Sequence, residues 1–170
     1  MDTLDEAQVP SMLIGGYALP AYGQIRATQD VDMAIAASFP EVVKLQKRLV
    51  EQSFQLPSSP NERAPRFLLT DLENMVEIEI WTKPDGIVFD NELLRRRVKV
   101  KPFDDFEMFT IGPEDFIVNK LSRKDRGTQD ELDVVSVLKR RKSTLDYEYL
   151  AKRARTADVT GLLRTLIDQV

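Results

Sequence analysis

LIGGYALPAYGQIRATQDVDMAIA, residues 13–36, decides the fold of this 170-residue chain. A hydrophobic run stops at Gly15 and Gly16, a small-residue segment follows, and Asp30 and Asp32 then interrupt a second hydrophobic run. Acids at i and i+2 of a strand point the same way, with Cα atoms roughly 6–7 Å apart. Their carboxylates suit a shared cation, because two like charges side by side repel and raise each other's pKa unless something neutralises them. Read alone, DVD better describes the polar half of a solvent-facing strand. Glycines at the end of the first strand permit close approach of a ligand to the backbone. A helix following them aims free N–H groups at an anion. Arg26 and Thr28, just ahead of the acids, have the chemistry to grip phosphate or sugar, although Arg26 equally suits a salt bridge to one of the acids.

Working outward, VPSMLIG reads as a short buried strand and GGYALPAYG as a turn into a short helix. DVDMAIA reads as a strand with Asp30, Asp32 and Ala34 on one face and Val31, Met33 and Ile35 on the other. Ser38 and Glu41 have capping-box spacing ahead of a helix with Val42, Leu45 and Leu49 on one stripe. QLPSSPNERAP is a polar loop. FLLTDL and MVEIEIWT form a strand pair, the second alternating Val76, Ile78 and Ile80 against Glu77 and Glu79. RRRVKVKPFDDFEMFTI supplies one or two more strands. From residue 113 the hydrophobic period changes from 2 to about 3.6. Pro113 opens one helix, Thr128 and Glu131 have capping-box spacing for the next, and DYEYLAKRA and DVTGLLRTLIDQV are helical. The expected architecture is α+β, a mixed twisted sheet flanked by helices with a helical C-terminal third. Residues 1–110 form its core, and residues 111–170 pack on it as part of a single compact unit.

Composition narrows the chemistry. The chain has no cysteine and no histidine. Disulfides, thiolate metal sites and histidine-assisted nucleophilic catalysis are therefore excluded. Any metal must be held by oxygen, which selects a hard cation such as Mg2+ or Mn2+. No apolar stretch approaches the roughly 18 residues of a membrane span, and no signal peptide opens the chain, so a cytoplasmic protein with no membrane partner is expected. The net charge is −4, yet residues 120–155 carry 11 Lys and Arg against 6 Asp and Glu. That basic balance reads equally as a polyanion-binding surface or as solvated helix faces.

Taken together, IGGYALPAYGQIRATQDVDMAI resembles the signature of the DNA polymerase β-like nucleotidyltransferase superfamily: a glycine pair after a strand, a turn and helix, then Asp-x-Asp flanked by hydrophobic residues. Thirteen residues separate Gly16 from Asp30. The spelling is similar to that of small bacterial and archaeal nucleotidyltransferases, a group that includes abortive-infection toxins. IGPEDFIVNKLSRKDRGTQDELDVVSVL resembles a helical segment of the same proteins, so the likeness spans roughly residues 10–140. It implies transfer of a nucleoside monophosphate from a nucleoside triphosphate to a hydroxyl of RNA, protein or a small molecule. Asp30 and Asp32 are implied as metal ligands. A third carboxylate comes from a later strand ahead of a Pro-Asp-Gly-like turn, which IEIWTKPDG matches with Glu79; Glu77, on the same face, is the alternative. The resemblance further implies two bound ions, Mg2+ or Mn2+. Gly15, Gly16, Arg26, Thr28 and Lys120 are implied on the substrate side, Lys120 at the phosphates. Asp130 and Asp133 fall on the acids of the same segment; Asp130 is read instead as a first-turn acid that favours a helix through its dipole. The resemblance also leaves open an RNA acceptor such as a tRNA, a toxin role with an antitoxin partner, and a homodimer. The alternative is a non-catalytic module that keeps the fold and binds a nucleotide or a partner.

Overall fold

The computed structural model describes residue 4 and residues 8–28, 30–103 and 106–170. They divide into two compact units: Met1–Tyr17 with Ala27–Pro84, and Ala18–Arg26 with Asp85–Val170. The boundary expected at residue 110 falls inside the second unit.

The first unit is built on a mixed sheet. Its strands are β1 (Ser11–Leu13), β2 (Val31–Ile35), β3 (Phe54–Gln55), β4 (Arg66–Asp71) and β5 (Val76–Trp81), in the order β3-β4-β5-β2-β1. All neighbours are antiparallel except β2 and β5, which run parallel. A parallel pair needs a long crossover, and helix α1 (Phe39–Glu51) lies within it. Helix α1 buries the stripe expected of it, Val42, Leu45 and Leu49. The Ser38 backbone N–H donates to the Glu41 carboxylate at 2.7 Å, the reach-back half of a capping box. Strand β2 begins at Val31, so Asp30 lies on the segment leading into the strand and not within it, a correction to the sequence reading. Its Cα still stands two residues from that of Asp32.

The second unit contains the hairpin β6 (Val98–Phe103) and β7 (Phe106–Thr110), and helices α2 (Asn91–Arg96), α3 (Pro113–Ser122), α4 (Thr128–Arg141), α5 (Tyr147–Thr156) and α6 (Thr160–Ile167). The helical C-terminal third is thus present. Short α2 was not read from the sequence; Asp90 caps it by accepting the Leu93 N–H. The capping of α4 is shifted by one residue from the Thr128–Glu131 reading. Gly127 is its N-cap, and Asp130 accepts the Gly127 N–H at 3.0 Å. Helix α3 is buried on every side from Glu114 to Leu121. A helix closed to water all round must pair its polar groups, and those of α3 are paired. Asp115 accepts from the Tyr149 hydroxyl, Asn119 donates to the Asp85 carbonyl, and Lys120 binds two acids. A 3-10 helix, Gly15–Tyr22, runs from the first unit into the second. At its end the Tyr22 ring meets Phe116 edge-on at 5.2 Å and the Tyr22 hydroxyl donates to the Ile111 carbonyl. Among the described residues no helix is long and apolar enough to cross a membrane.

Candidate active site

Two of the carboxylates singled out from sequence, Asp32 and Glu79, meet in the first unit. Parallel pairing puts Asp32 directly beside Glu79. On the other side of β5, Glu79 is opposite Leu68 and Trp81 is opposite Arg66. Side chains alternate between faces, so Asp32, Glu79, Trp81, Arg66 and Leu68 share one face of the sheet. Ile78 and Ile80 point to the other.

That face carries a connected set of polar contacts. The Trp81 indole N–H donates to Asp32 Oδ1 at 3.3 Å. The Arg66 guanidinium lies 4.6 Å from the centre of the Trp81 ring and donates to Glu79 Oε2 at 3.2 Å. Burial pushes the Glu79 carboxyl above its ordinary value; Arg66 pulls it down, and the negative charges of Asp32 and Asp30 push it up again. Glu79 therefore feels the charge of both aspartates. Glu77, the alternative third carboxylate, is exposed and stands opposite Thr70.

Gly15 is required by geometry. It has φ +62°, and a Cβ there would lie 2.0 Å from Asp32 Oδ2. The space left by the missing side chain thus receives the Asp32 carboxylate. The Ile14 N–H meanwhile donates to the Asp32 carbonyl at 2.9 Å, tying the end of β1 to β2. Gly16 continues the 3-10 helix, and half-buried Thr28 lies on the segment before Asp30.

The cations expected at phosphate belong to the second unit, where one acid gathers them. Asp133, fully buried, accepts from Arg26 Nε at 3.1 Å and Arg26 Nη2 at 3.2 Å, and lies 3.2 Å from Lys120 Nζ. Lys120 is only 3% exposed and also donates to Asp130 at 2.8 Å. Burial alone would raise the Asp130 carboxyl. Lys120, the Gly127 N–H and Arg123 outweigh burial and hold it below its ordinary value. The salt bridge weighed for Arg26 is thus made to Asp133. Asp130 keeps its first-turn place and in addition anchors Lys120. Asp133 holds both cations.

Sequence reasoning missed Trp81 and Arg66, and it gave Asp133 no partner. The alternation of MVEIEIWT, followed two residues past Glu79, selects Trp81, the chain's single tryptophan. Nothing local selects Arg66, which reaches the site only through the β4–β5 register.

As donors, Asp30, Asp32 and Glu79 offer carboxylate oxygen alone, which suits a hard divalent cation. Their mutual repulsion is the cost such an ion relieves. Among the described residues no three acidic side chains already form a closed cage, because Asp32 is turned to Trp81 and Glu79 to Arg66.

A model of the family described as nucleotidyl transferase of unknown function matches residues 1–160. No curated protein matches the chain. Among solved structures, the lincosamide antibiotic adenylyltransferase LnuA, bound to lincomycin, is similar with a TM-score of 0.56 and 18% identity, over 85% of this chain and 92% of that one. The antibiotic-resistance factor ANT(2'')-Ia has a TM-score of 0.56 at 13% identity, over 99% and 93%. An antigenic nucleotidyltransferase-like protein from Paracoccidioides brasiliensis has 0.53 at 16%, over 98% and 88%. At such identities the likeness is one of fold.

Proposed function

The chain belongs to the family of nucleotidyl transferases of unknown function, and on that premise we propose that it moves a nucleoside monophosphate from a nucleoside triphosphate to a hydroxyl of a small molecule. The observation that carries this reading is the side-by-side placement of Asp32 and Glu79 on parallel strands, with Asp30 immediately ahead of β2.

In this proposal Asp30, Asp32 and Glu79 hold Mg2+ or Mn2+, with Glu77 in reserve. The metal, when bound, supplies positive charge at the phosphates and lowers the pKa of the acceptor hydroxyl. Asp32 is fixed for this task by the Trp81 indole and by the close approach of Gly15. Glu79 joins once its carboxylate leaves Arg66. The acceptor oxygen forms a bond to the α-phosphorus, the bond to pyrophosphate breaks, and the hydroxyl proton leaves to solvent. The chain's part is positioning and electrostatics, with no covalent enzyme intermediate. Substrate-side roles for Gly15, Gly16, Arg26, Thr28 and Lys120 belong to the same proposal.

A small-molecule acceptor is favoured over RNA by what the basic segment does with its charge. Lys120 and Arg153 are almost fully buried against Asp130, Asp133, Asp90 and Asp115. Arg123 and Arg126 pair with Asp125 and Glu131. Cations satisfied internally do little for a polyanion. Two of the structures of similar fold are described as antibiotic-modifying or resistance proteins, which makes hydroxyl-rich small molecules the first acceptors to try.

The test is label transfer from α-32P-labelled nucleoside triphosphates, with Mg2+, to an array of hydroxylated small molecules, with total RNA alongside. Transfer to a small molecule that stops in Asp32→Asn supports the reading. Transfer to RNA alone overturns the choice of acceptor, and no transfer to anything overturns the activity.

A further inference from the structure

The face that carries Asp32 and Glu79 has two flanks. Across the sheet the strands run in the order β4-β5-β2-β1. On one flank Gly15, just past the end of β1, lies against Asp32, where a Cβ would stand 2.0 Å from Oδ2. On the other flank Arg66 and Leu68 of β4 stand opposite Trp81 and Glu79. Strands β2, β4 and β5 bring three acids to this face, Asp32, Glu77 and Glu79, and one cation, Arg66. Arg66 uses little of its guanidinium. Nη1 donates to Glu79, Cζ lies 4.6 Å from the centre of the Trp81 ring, and among the described residues Nε and Nη2 donate to nothing. The side chain is 41% exposed. Leu68 beside it is 40% exposed, and Trp81 is half-buried. A planar cation with open donors, next to exposed apolar carbon, suits a carboxylate or phosphate on an organic body.

We propose that Arg66 recognises the acceptor of the proposed transfer, and that this acceptor carries an oxyanion, a carboxylate or phosphate, besides the hydroxyl that is modified. The inference rests on that reading of the site. Displacement at the α-phosphorus is roughly in line, so the acceptor oxygen and the departing pyrophosphate lie on opposite sides of it. With the phosphates on the Gly15 and Gly16 side of Asp32, the acceptor enters over Glu79 from the β4 side. There Nε and Nη2 can hold both oxygens of an oxyanion, while the acceptor's carbon skeleton rests on Leu68. When Glu79 turns to the metal, Nη1 loses its partner, and the charge of the acceptor replaces it. An ammonium group in the same place meets a guanidinium of like charge, so amino acceptors are disfavoured.

Label transfer with Mg2+ from α-32P-labelled nucleoside triphosphates is run on matched acceptors. One scaffold gives glucuronate, glucose 6-phosphate, glucose and glucosamine; another gives 4-hydroxyphenylacetate, its amide and tyramine. The acidic member should exceed the neutral one by about tenfold or more in kcat/KM, chiefly through the acceptor KM, and the amine should be the poorest. In Arg66→Met the ratio of acidic to neutral member should fall to about one. Arg66→Lys, a point charge without the fork, should keep part of the preference. Glucuronate against glucose 6-phosphate tells carboxylate from phosphate. Equal or better transfer to the neutral or amino members overturns the proposal. So does a loss in Arg66→Met that is the same for every acceptor, because a residue that merely steadies Glu79 slows all of them alike. Transfer to RNA alone overturns it too. If nothing is labelled, the proposed activity fails, and calorimetric titration of the same acceptors into protein with Mg2+ and triphosphate decides the subsite separately. Acid-selective binding that is lost in Arg66→Met keeps the subsite; unselective binding or none overturns it.

Discussion

Asp32 and Glu79 stand beside each other across the parallel ladder of β2 and β5, and each is already engaged, Asp32 by the Trp81 indole and Glu79 by the Arg66 guanidinium. The pair is thus held in place and kept from repulsive collapse by neighbours that a cation would partly replace. Asp32→Asn retains the oxygen that accepts from Trp81 while removing the charge. It should lower nucleotidyl transfer and Mn2+ binding by about 100-fold or more with a melting temperature close to wild type. Full transfer in a folded Asp32→Asn protein would sink the proposed function.

Glu79 and Glu77 share a face but differ in surroundings. Glu79→Gln should reduce metal affinity by about 10-fold or more, and Glu77→Gln should leave it nearly unchanged. Isothermal titration with Mn2+ decides between them. The reverse order would move the third carboxylate to Glu77.

Gly15→Ala tests the close approach to Asp32. The new Cβ meets Asp32 Oδ2 at a distance no real contact shows, and alanine at φ +62° is strained by about 1–2 kcal/mol in its own right. A loss of at least ~2 kcal/mol in urea denaturation is expected, together with loss of transfer. Stability equal to wild type would show that this turn relaxes freely.

Asp133 anchors Arg26 and Lys120 from a fully buried position. Asp133→Ala leaves Lys120 enclosed with one partner fewer, which costs about 3–5 kcal/mol for a buried pair. Equilibrium urea denaturation should show that loss. A cost below ~1 kcal/mol would mean that Asp130 suffices.

Burial pushes the Asp115 carboxyl up from 3.8 to about 6, against the downward pull of Tyr149 and Arg153. The folded protein therefore takes up a proton at a higher pH than the unfolded chain does. The stability this group contributes is full below about pH 4 and is lost as pH rises through 6. Asp115→Asn removes this dependence. The stability of wild type minus that of the variant should fall by up to about 3 kcal/mol between pH 4 and pH 6 and then level off. Groups held below their ordinary values and not in contact with Asp115, such as Asp130, act in the opposite sense in both proteins and cancel in that difference. Parallel curves from pH 4 to 7 would show that the Asp115 carboxyl titrates normally.

Much of this was legible in residues alone. The alternation in MVEIEIWT placed Glu77 and Glu79 on one face, and DVD placed Asp32 on a strand, because the side-chain period of a strand is local. The change of period at residue 113 marked the helical third for the same reason. The Ser38–Glu41 cap was readable because its partners are three residues apart. The Thr128–Glu131 cap was misplaced because Gly127 and Asp130 have the same spacing one residue earlier, and only backbone geometry chooses between them.

The sequence by itself determined which groups are available to the proposed chemistry: oxygen ligands only, two acids on one short segment, a later pair of glutamates and a glycine pair ahead of the acids. Tertiary structure decided who meets whom. Parallel register brought Glu79 to Asp32, β4 brought Arg66 to Glu79, and the burial of α3 turned Lys120 toward Asp130 and Asp133. Those pairings join residues far apart in the chain, and no local period encodes them. They follow from strand register and from the need of every buried charge for a partner.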